Sequence, residues 1–317
     1  MESKAPAGTD RPIGAVVVTY ESAAVIADCL ESLAAAAPIR GIEIRVVDNA
    51  SRDGTADIAE RILGPGRVIR CPSNRGFAAG VNAGLAALDT PWLAVVNPDV
   101  RVPRGSFDRL ADELAARNRA GLIAPHVIDG TGQPEPNVGR FPTLARERAH
   151  TWFLDRIAGA QGRLGTFPAA TAPVDWVSGC LWLMRRDAWR ATGALDEGYF
   201  MYYEDVDYCR RMHDAGWEVV ATPAVEVVHT RGRGSSATGT VPADGGISVV
   251  RYFGKFVPGV TEREVRSLLR TGWKLRLGWR RLRMALGDRA SAEAARRYEL
   301  AIRQLDDANG GRKSSAT

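Results

Sequence analysis

The first hundred residues alternate between short, densely apolar runs and longer stretches in which apolar residues return every third or fourth position. Ile13 to Thr19 (IGAVVVT) is a β-branched run, long enough for a buried strand and too short for a helix. From Ser22 to Leu33 the period changes: Val25, Cys29 and Leu33 share one helical face, and Ser22 is placed to cap its start. Ile42 to Val47 predicts a second strand, Ser51 to Thr55 a turn, and Ala56 to Leu63 a helix capped by Thr55. Val68 to Cys71, Gly76 to Leu88 and Leu93 to Val96 continue as strand, helix and strand, ending at Asn97-Pro98-Asp99. Strand and helix alternating four times over about ninety residues call for a parallel sheet with right-handed crossovers. Ligands of such sheets bind beyond the carboxyl ends of the strands. Polar residues gather there: Thr19-Tyr20-Glu21, Asp48-Asn49, Asn74-Arg75 and Asn97-Pro98-Asp99.

Beyond this point the pattern loosens. Phe107 to Ala116 reads as a helix, while Gly130 to Pro142 and Gly159 to Pro173 are Gly- and Pro-rich loops. Val174 to Met184 predicts a strand, Arg186 to Thr192 a short helix, and Tyr203 to Ala215 a longer one. Trp217 to Val220 and Val225 to Val228 give two short strands, and Arg231 to Gly246 is a Gly/Ser-rich flexible stretch. Near the end, Val265, Leu268, Gly272, Leu275, Trp279, Leu282 and Leu286 mark one helical face among many cations, and Glu293 to Leu305 predicts a further helix. The stretches before Arg11 and after Asn309 are expected to be disordered tails.

Composition adds three constraints. The 317 residues are 45% hydrophobic and 25% charged, which suits a folded chain and excludes a disordered one. The net charge of +5 is uneven: Arg251 to Ala290 carries eleven Lys/Arg against three Asp/Glu, so the rest of the chain is slightly acidic. With no nucleic-acid-binding motif beside it, that basic segment reads either as a helix packed on the domain or as one lying on an anionic membrane. Cys29, Cys71, Cys180 and Cys209 stand far apart, so reduced thiols in a cytoplasmic protein are expected rather than a disulfide framework or a thiolate metal site. The polar start of the chain carries no signal-peptide pattern, and no apolar run reaches the ~20 residues needed to cross a bilayer.

The strings VVVTYES, VVDNASRDGT, NRGFAAGVNAG, VNPDV, GYFMYYEDVDYCRRMHDAGW and VVHTRGRGS occur in this order. Over residues 13 to 235 they resemble the inverting glycosyltransferases of family 2, and among these most of all the bacterial rhamnosyltransferases that use dTDP-rhamnose. The resemblance implies an α/β fold of GT-A type: a Rossmann-like, mostly parallel sheet flanked by helices, followed by a basic helical extension. Residues 11–103 are then the nucleotide-sugar-binding half, 104–235 the acceptor-binding and catalytic half, and 236–317 the extension. It also implies a divalent Mg2+ or Mn2+ ion, a nucleotide-sugar donor, and as acceptor a glycan or a polyprenyl-diphosphate-linked sugar. Such an enzyme works in the cytoplasm, peripheral to the inner face of the membrane.

Within that frame Asp48 accepts the ring N–H of a uracil or thymine, with Thr19, Tyr20, Glu21 and Asn49 lining the base and ribose. Asp53 has two readings, a nucleotide contact or a brace for its own turn and the next helix. Asn74, Arg75, Gly76 and Asn82 complete the donor site, Arg75 being a cation at a helix start suited to a pyrophosphate. Gly80 and Gly84, one turn apart, favour close packing on the sheet. Asn97 and Asp99 stand where relatives have Asp-x-Asp, so Asp99 supplies the only carboxylate; His229 is placed to add a nitrogen ligand. Asp205 is assigned the base that deprotonates the acceptor hydroxyl, supported by Glu204 and Asp207. Trp176, Gly179 and Trp182, with Asp207, fall where relatives floor the acceptor site; one Trp is expected in the core and the other against a sugar. Arg231 and Arg233 flank glycines and have three readings: closing over the donor diphosphate, closing over an acceptor's pyrophosphate, or standing solvated.

Two other readings compete. A nucleotidyltransferase would need a Gly-rich basic loop after the first strand, which Thr19-Tyr20-Glu21-Ser22 is not. A catalytically weak scaffold on the membrane is admitted by Asn97 and opposed by the retained Glu204 and Asp205. A UDP-sugar donor in place of dTDP-rhamnose keeps the same fold and chemistry.

Overall fold

The computed structural model describes residues 12–152, 165–230, 241–289 and 291–310. They fall into two compact units, one formed by the described residues 12–141, 165–198 and 204–230, the other by 142–152, 199–203, 241–289 and 291–310.

The first unit is built on a nine-stranded sheet. The opening run forms β1 (Ile13–Thr19), buried along its whole length, with β2 (Ile42–Asp48) and β4 (Trp92–Val96) parallel to it on either side. The short β3 (Val68–Arg70) adds to β2 in parallel. The crossovers carry α1 (Ile26–Ala34), α2 (Thr55–Leu63) and α3 (Phe77–Ala86). α1 starts four residues later than its apolar period predicts, after a turn in which the Ser22 carbonyl accepts from the Val25 and Ile26 amides. Gly80 and Gly84 let α3 lie directly on the strands. A Cβ on Gly84 would come within 2.4 Å of Val16, and one on Gly80 within 2.6 Å of Val18.

After β5 (Val100–Arg101) and α4 (Ser106–Ala115) the structure departs from the sequence pattern. A ten-residue strand, β6 (Ala120–Asp129), lies where no strand is predicted, because Gly121 and Pro125 dilute its apolar run. Gly121 is needed there: a Cβ would meet Ala188 and Trp217 below 3 Å. The predicted strand from Val174 to Met184 is three pieces, β8 (Ala172–Val174), β9 (Trp176–Val177) and β10 (Leu181–Arg185), with a turn at Gly179–Cys180. β9 pairs with β7 (Val138–Gly139) in a separate ribbon. The two predicted strands after Gly216 are one, β11 (Glu218–His229), with an irregularity between Thr222 and Glu226 around Pro223. α6 (Arg186–Thr192) and α7 (Glu204–Asp214) complete the unit.

The strand order is β3-β2-β1-β4-β10-β6-β11-β5, with β8 also on β11. β10 runs against both β4 and β6, and β11 runs with β6. The carboxyl ends of β1, β2, β4, β6 and β11 therefore share one edge with the turn entering β10. That edge carries the candidate residues.

The second unit is helical. It contains α5 (Leu144–Thr151), α8 (Val241–Phe256), α9 (Glu262–Ala285) and α10 (Ser291–Gly310). Residues 241–246, predicted flexible, open α8 instead; Gly246 is there because the Trp273 ring lies where its Cβ would be. α9 starts with a full capping box, Thr261 and Glu264 satisfying each other's backbone amides. Its buried stripe is Val265, Leu269, Gly272, Trp273 and Leu277. This stripe is rotated from the predicted face, so Leu275, Trp279, Leu282 and Leu286 are exposed.

Candidate active site

The loops after β1 and β2 are laced together by short polar bonds. Thr19 Oγ1 donates to Asp48 Oδ1 at 3.0 Å, and the Ser51 amide donates to Asp48 Oδ2 at 3.0 Å. Each Asp48 oxygen therefore holds one donor and keeps a lone pair for another. The Glu21 amide donates to Ser51 Oγ, and the Arg52 amide to Glu21 Oε1, both at 2.9 Å. Glu21 pays for its place with a left-handed φ of 50°. Asp53 Oδ2 accepts from the Ala23 amide and Oδ1 from Thr55. Partial burial works against its charge, but the Thr55 hydroxyl and the amides outweigh that and hold its carboxyl below the usual range. Both Asp53 oxygens thus serve the loops, while Thr55, expected as a helix cap, accepts from the Ser22 amide. Tyr20 is exposed at the mouth of these loops.

Asn49 is buried and donates from Nδ2 to the Gly76 carbonyl at 3.1 Å; its Oδ1 is buried with no partner among the described residues. Asn74 Oδ1 accepts from the Gly76 amide, closing the turn that starts α3. Arg75 lies at that start and pairs with Glu197 at 2.6 Å, both side chains largely exposed. Such a pair is weakly held, so its guanidinium is available to a competing anion. Asn82 exchanges hydrogen bonds with the Leu195 backbone and donates to Glu197, tethering that loop to α3.

Asn97 and Asp99 follow β4. The Asn97 amide donates to the Cys180 carbonyl, and the Thr230 amide donates to the Asp99 carbonyl, each at 2.9 Å. His229, at the end of β11, stands between two carboxylates: Nε2 is 3.1 Å from Asp99 Oδ1 and Nδ1 is 3.0 Å from Glu135 Oε2. Burial disfavours its charged form, but the bonds and charges of Asp99 and Glu135 prevail and hold the imidazole above its usual value. Nothing in the sequence singles out Glu135, which lies 94 residues from its partner in a Gly/Pro-rich loop. Among the described residues no three His, Cys, Asp or Glu converge on one metal position. Asp99 and His229 still offer a carboxylate and an imidazole. That donor set suits a divalent ion whose remaining ligands are waters and diphosphate oxygens.

The first turn of α7 brings the other carboxylates to the same edge. Asp205 Oδ2 accepts from the Gly179 amide at 3.2 Å and Oδ1 from the Val206 amide at 2.8 Å. Gly179 adjoins Cys180, whose carbonyl binds Asn97, so the Asp205 carboxylate lies one short turn from the Asn97–Asp99 segment. Glu204 is buried with Oε2 unpartnered among the described residues; burial first, and then the Asp205 charge, push its carboxyl well above the usual range. Asp207 is fully buried and accepts from Arg211 Nε at 2.7 Å. Trp182 is 0% exposed, stacked on Tyr208 and donating to the Ser178 carbonyl. Trp176 is also buried and donates to the Arg140 carbonyl. Arg231 and Arg233 lie outside the described residues.

Residues 15–189 match the sequence profile of "Glycosyl transferase family 2". The chain is 33% identical over 244 residues to an N-acetylglucosaminyl-diphospho-decaprenol L-rhamnosyltransferase of Mycobacterium tuberculosis, covering 72% of this chain and 78% of that one. A shorter match, 39% over 56 residues, joins it to the rhamnosyltransferase WbbL of Escherichia coli, 18% of this chain and 21% of that one. Among solved structures, the mannosyltransferase PcManGT of Pyrobaculum calidifontis superposes with a TM-score of 0.54 over 96% of this chain and 88% of that one, at 15% identity. Sheet and sequence agree: the chain belongs to glycosyltransferase family 2 and has the GT-A fold.

Proposed function

We propose that this glycosyltransferase moves L-rhamnose from dTDP-rhamnose to a hydroxyl of a polyprenyl-diphosphate-linked sugar, with inversion. The observation that carries the chemistry is the Asp205 carboxylate, held by the Gly179 amide one turn from the Asn97–Asp99 segment. Asp205 takes the proton of the acceptor hydroxyl, whose oxygen forms the new bond to the anomeric carbon. On the opposite face the bond to the diphosphate breaks, and its electron pair leaves with the nucleotide. Asp99 and His229 would hold a Mg2+ or Mn2+ ion, which supplies neutralising charge for the leaving diphosphate. Asp48 accepts the pyrimidine N–H through a remaining lone pair, and Arg75, released from Glu197, meets the diphosphate. The rhamnosyl and lipid-linked parts of the reading rest on what the mycobacterial relative is named for and on the sequence resemblance.

The test is transfer and donor binding by wild type and Asp205→Asn, with dTDP-rhamnose and with UDP-sugars, each with and without Mn2+. General-base catalysis is worth ~10²–10⁴-fold, so the variant should lose about that in turnover while binding donor normally. Wild-type turnover by Asp205→Asn removes it as the base. Binding and turnover with UDP-sugars alone replace the donor and leave the enzyme class intact.

We further propose that α9 lies on an anionic membrane. Among the described residues no helix is long and apolar enough to cross one. Leu275, Trp279, Leu282 and Leu286 recur at steps of four, three and four, and are 43, 57, 51 and 79% exposed. Lys274, Arg280, Arg281 and Arg283 surround them. An exposed apolar stripe among cations fits the headgroup region of an anionic leaflet.

A further inference from the structure

The side chain that completes the metal-side cluster comes from a segment no motif marks. Glu135 follows β6 through a tight reversal: the Asp129 amide donates to the Gln133 carbonyl, and the Glu135 amide donates back to the Val127 carbonyl at 2.8 Å. Its position is thereby tied to the sheet. His229 is fixed by the same sheet, opposite Asp129 on β6 and Val100 on β5. Asp99 is fixed by two bonds from Thr230, amide and hydroxyl, to its carbonyl, each at 2.9 Å. Three backbone segments, each held by hydrogen bonds, thus set Asp99, His229 and Glu135 in a line through the imidazole.

We propose that Glu135 is the positioning residue of the metal site: it accepts from His229 Nδ1 and so turns Nε2 toward Asp99 and the ion. This rests on the reading of Asp99 and His229 as ligands. A metal-binding imidazole presents one nitrogen to the ion, and the partner of the other nitrogen decides which, fixes the ring plane and raises ligand basicity. Glu135 does this with a full negative charge in a place only 11% exposed. The charge matters in this chain because Asn97, two residues before Asp99, brings no carboxylate of its own. Glu135 returns a carboxylate to the cluster one bond behind the imidazole. The orientation of the ring also explains why a histidine 130 residues from Asp99 meets its Oδ1 rather than turning to solvent.

The experiment measures Mn2+ binding to the full chain holding saturating dTDP, following the ion by its electron spin resonance. Spin-echo modulation with 15N-labelled histidine reports whether an imidazole nitrogen is bound. Wild type should show that coupling. Outer-shell partners of metal-binding histidines are worth 10–100-fold in affinity, so Glu135→Gln should weaken Mn2+ by about that range. The coupling should shrink with it, while the melting temperature stays near that of wild type. In a His229→Gln background, Glu135→Gln should cost little more, because its effect passes through the imidazole. A Glu135→Gln variant that binds Mn2+ within about twofold of wild type with unchanged coupling overturns the proposal, as does a full independent loss in the His229→Gln background. Wild type that binds Mn2+ without nitrogen coupling removes His229 as a ligand and overturns the proposal together with the reading on which it rests.

Discussion

The carboxylates of the site divide by environment. Asp48 and Asp53 each receive hydrogen bonds on both oxygens, and for Asp53 these bonds hold the charged form. Glu204 is the opposite case, buried beside Asp205 with an oxygen that no described residue meets. Its folded-state carboxyl lies above the ordinary value, so above that value the folded chain binds more protons than the unfolded one. Stability at this residue is then full below the unfolded value and falls as pH rises through the folded one. Glu204→Gln, neutral at every pH, should therefore raise the melting temperature at pH 8 and change it little at pH 4. Melting profiles of the two proteins that run parallel across this range would show that burial does not cost Glu204 its charge.

Among the elements, the parallel half of the sheet was legible because β1 and β4 are dense apolar runs, β2 alternates charged with apolar residues before its Val46-Val47 end, and the turns are polar. The rest was hidden wherever packing demanded a residue that breaks the pattern. Gly121 in β6 clears Ala188 and Trp217, and Gly246 in α8 clears Trp273, yet each reads locally as a breaker. Site residues followed the same division. The turns after β1, β2 and β4 carry their chemistry in contiguous strings, whereas Glu135 and Glu197 acquire meaning only through partners that the fold brings near. Contacts between distant elements also fix the frame. Asp108 on α4 accepts from the amides of Ile39 and Arg40 and from Arg40 Nη1, within 3.0–3.1 Å. Asp108 and Arg40 are both buried, so Asp108→Ala would strand a charge and two amides. The expected loss is about 3–5 kcal/mol, read from denaturant unfolding. A loss below about 1 kcal/mol would mean that Arg40 reaches water or relies on Asp112 alone.

At the scale of the molecule, charge and apolar exposure coincide in one place. The segment from Arg251 to Ala290 is strongly basic while the remaining sequence is slightly acidic, and the same segment bears the exposed stripe on α9. Some of its cations are already engaged, Arg281 with Glu299 at 2.7 Å and Arg283 with Asp288 at 2.8 Å. Surface pairs of this kind are weak, so they yield when a denser array of phosphates is offered. Each cation near an anionic leaflet contributes about 1 kcal/mol, and a buried large apolar side chain about 1.5–3 kcal/mol. Neither term alone holds a protein of this size firmly, but four of each are present along one helix and its C-cap. The chain should therefore sediment with vesicles containing phosphatidylglycerol and not with pure phosphatidylcholine, and binding should weaken as salt rises. Replacing Trp279 and Leu282 together by Ser should lower affinity at least tenfold with little change in melting temperature, because more than half of each residue already faces water. Equal binding to the two vesicle types would show that charge plays no part. A concentration-dependent dimer that disappears in the same double variant would assign the stripe to a second copy of the chain, and would leave delivery to a lipid-linked acceptor without a structural basis.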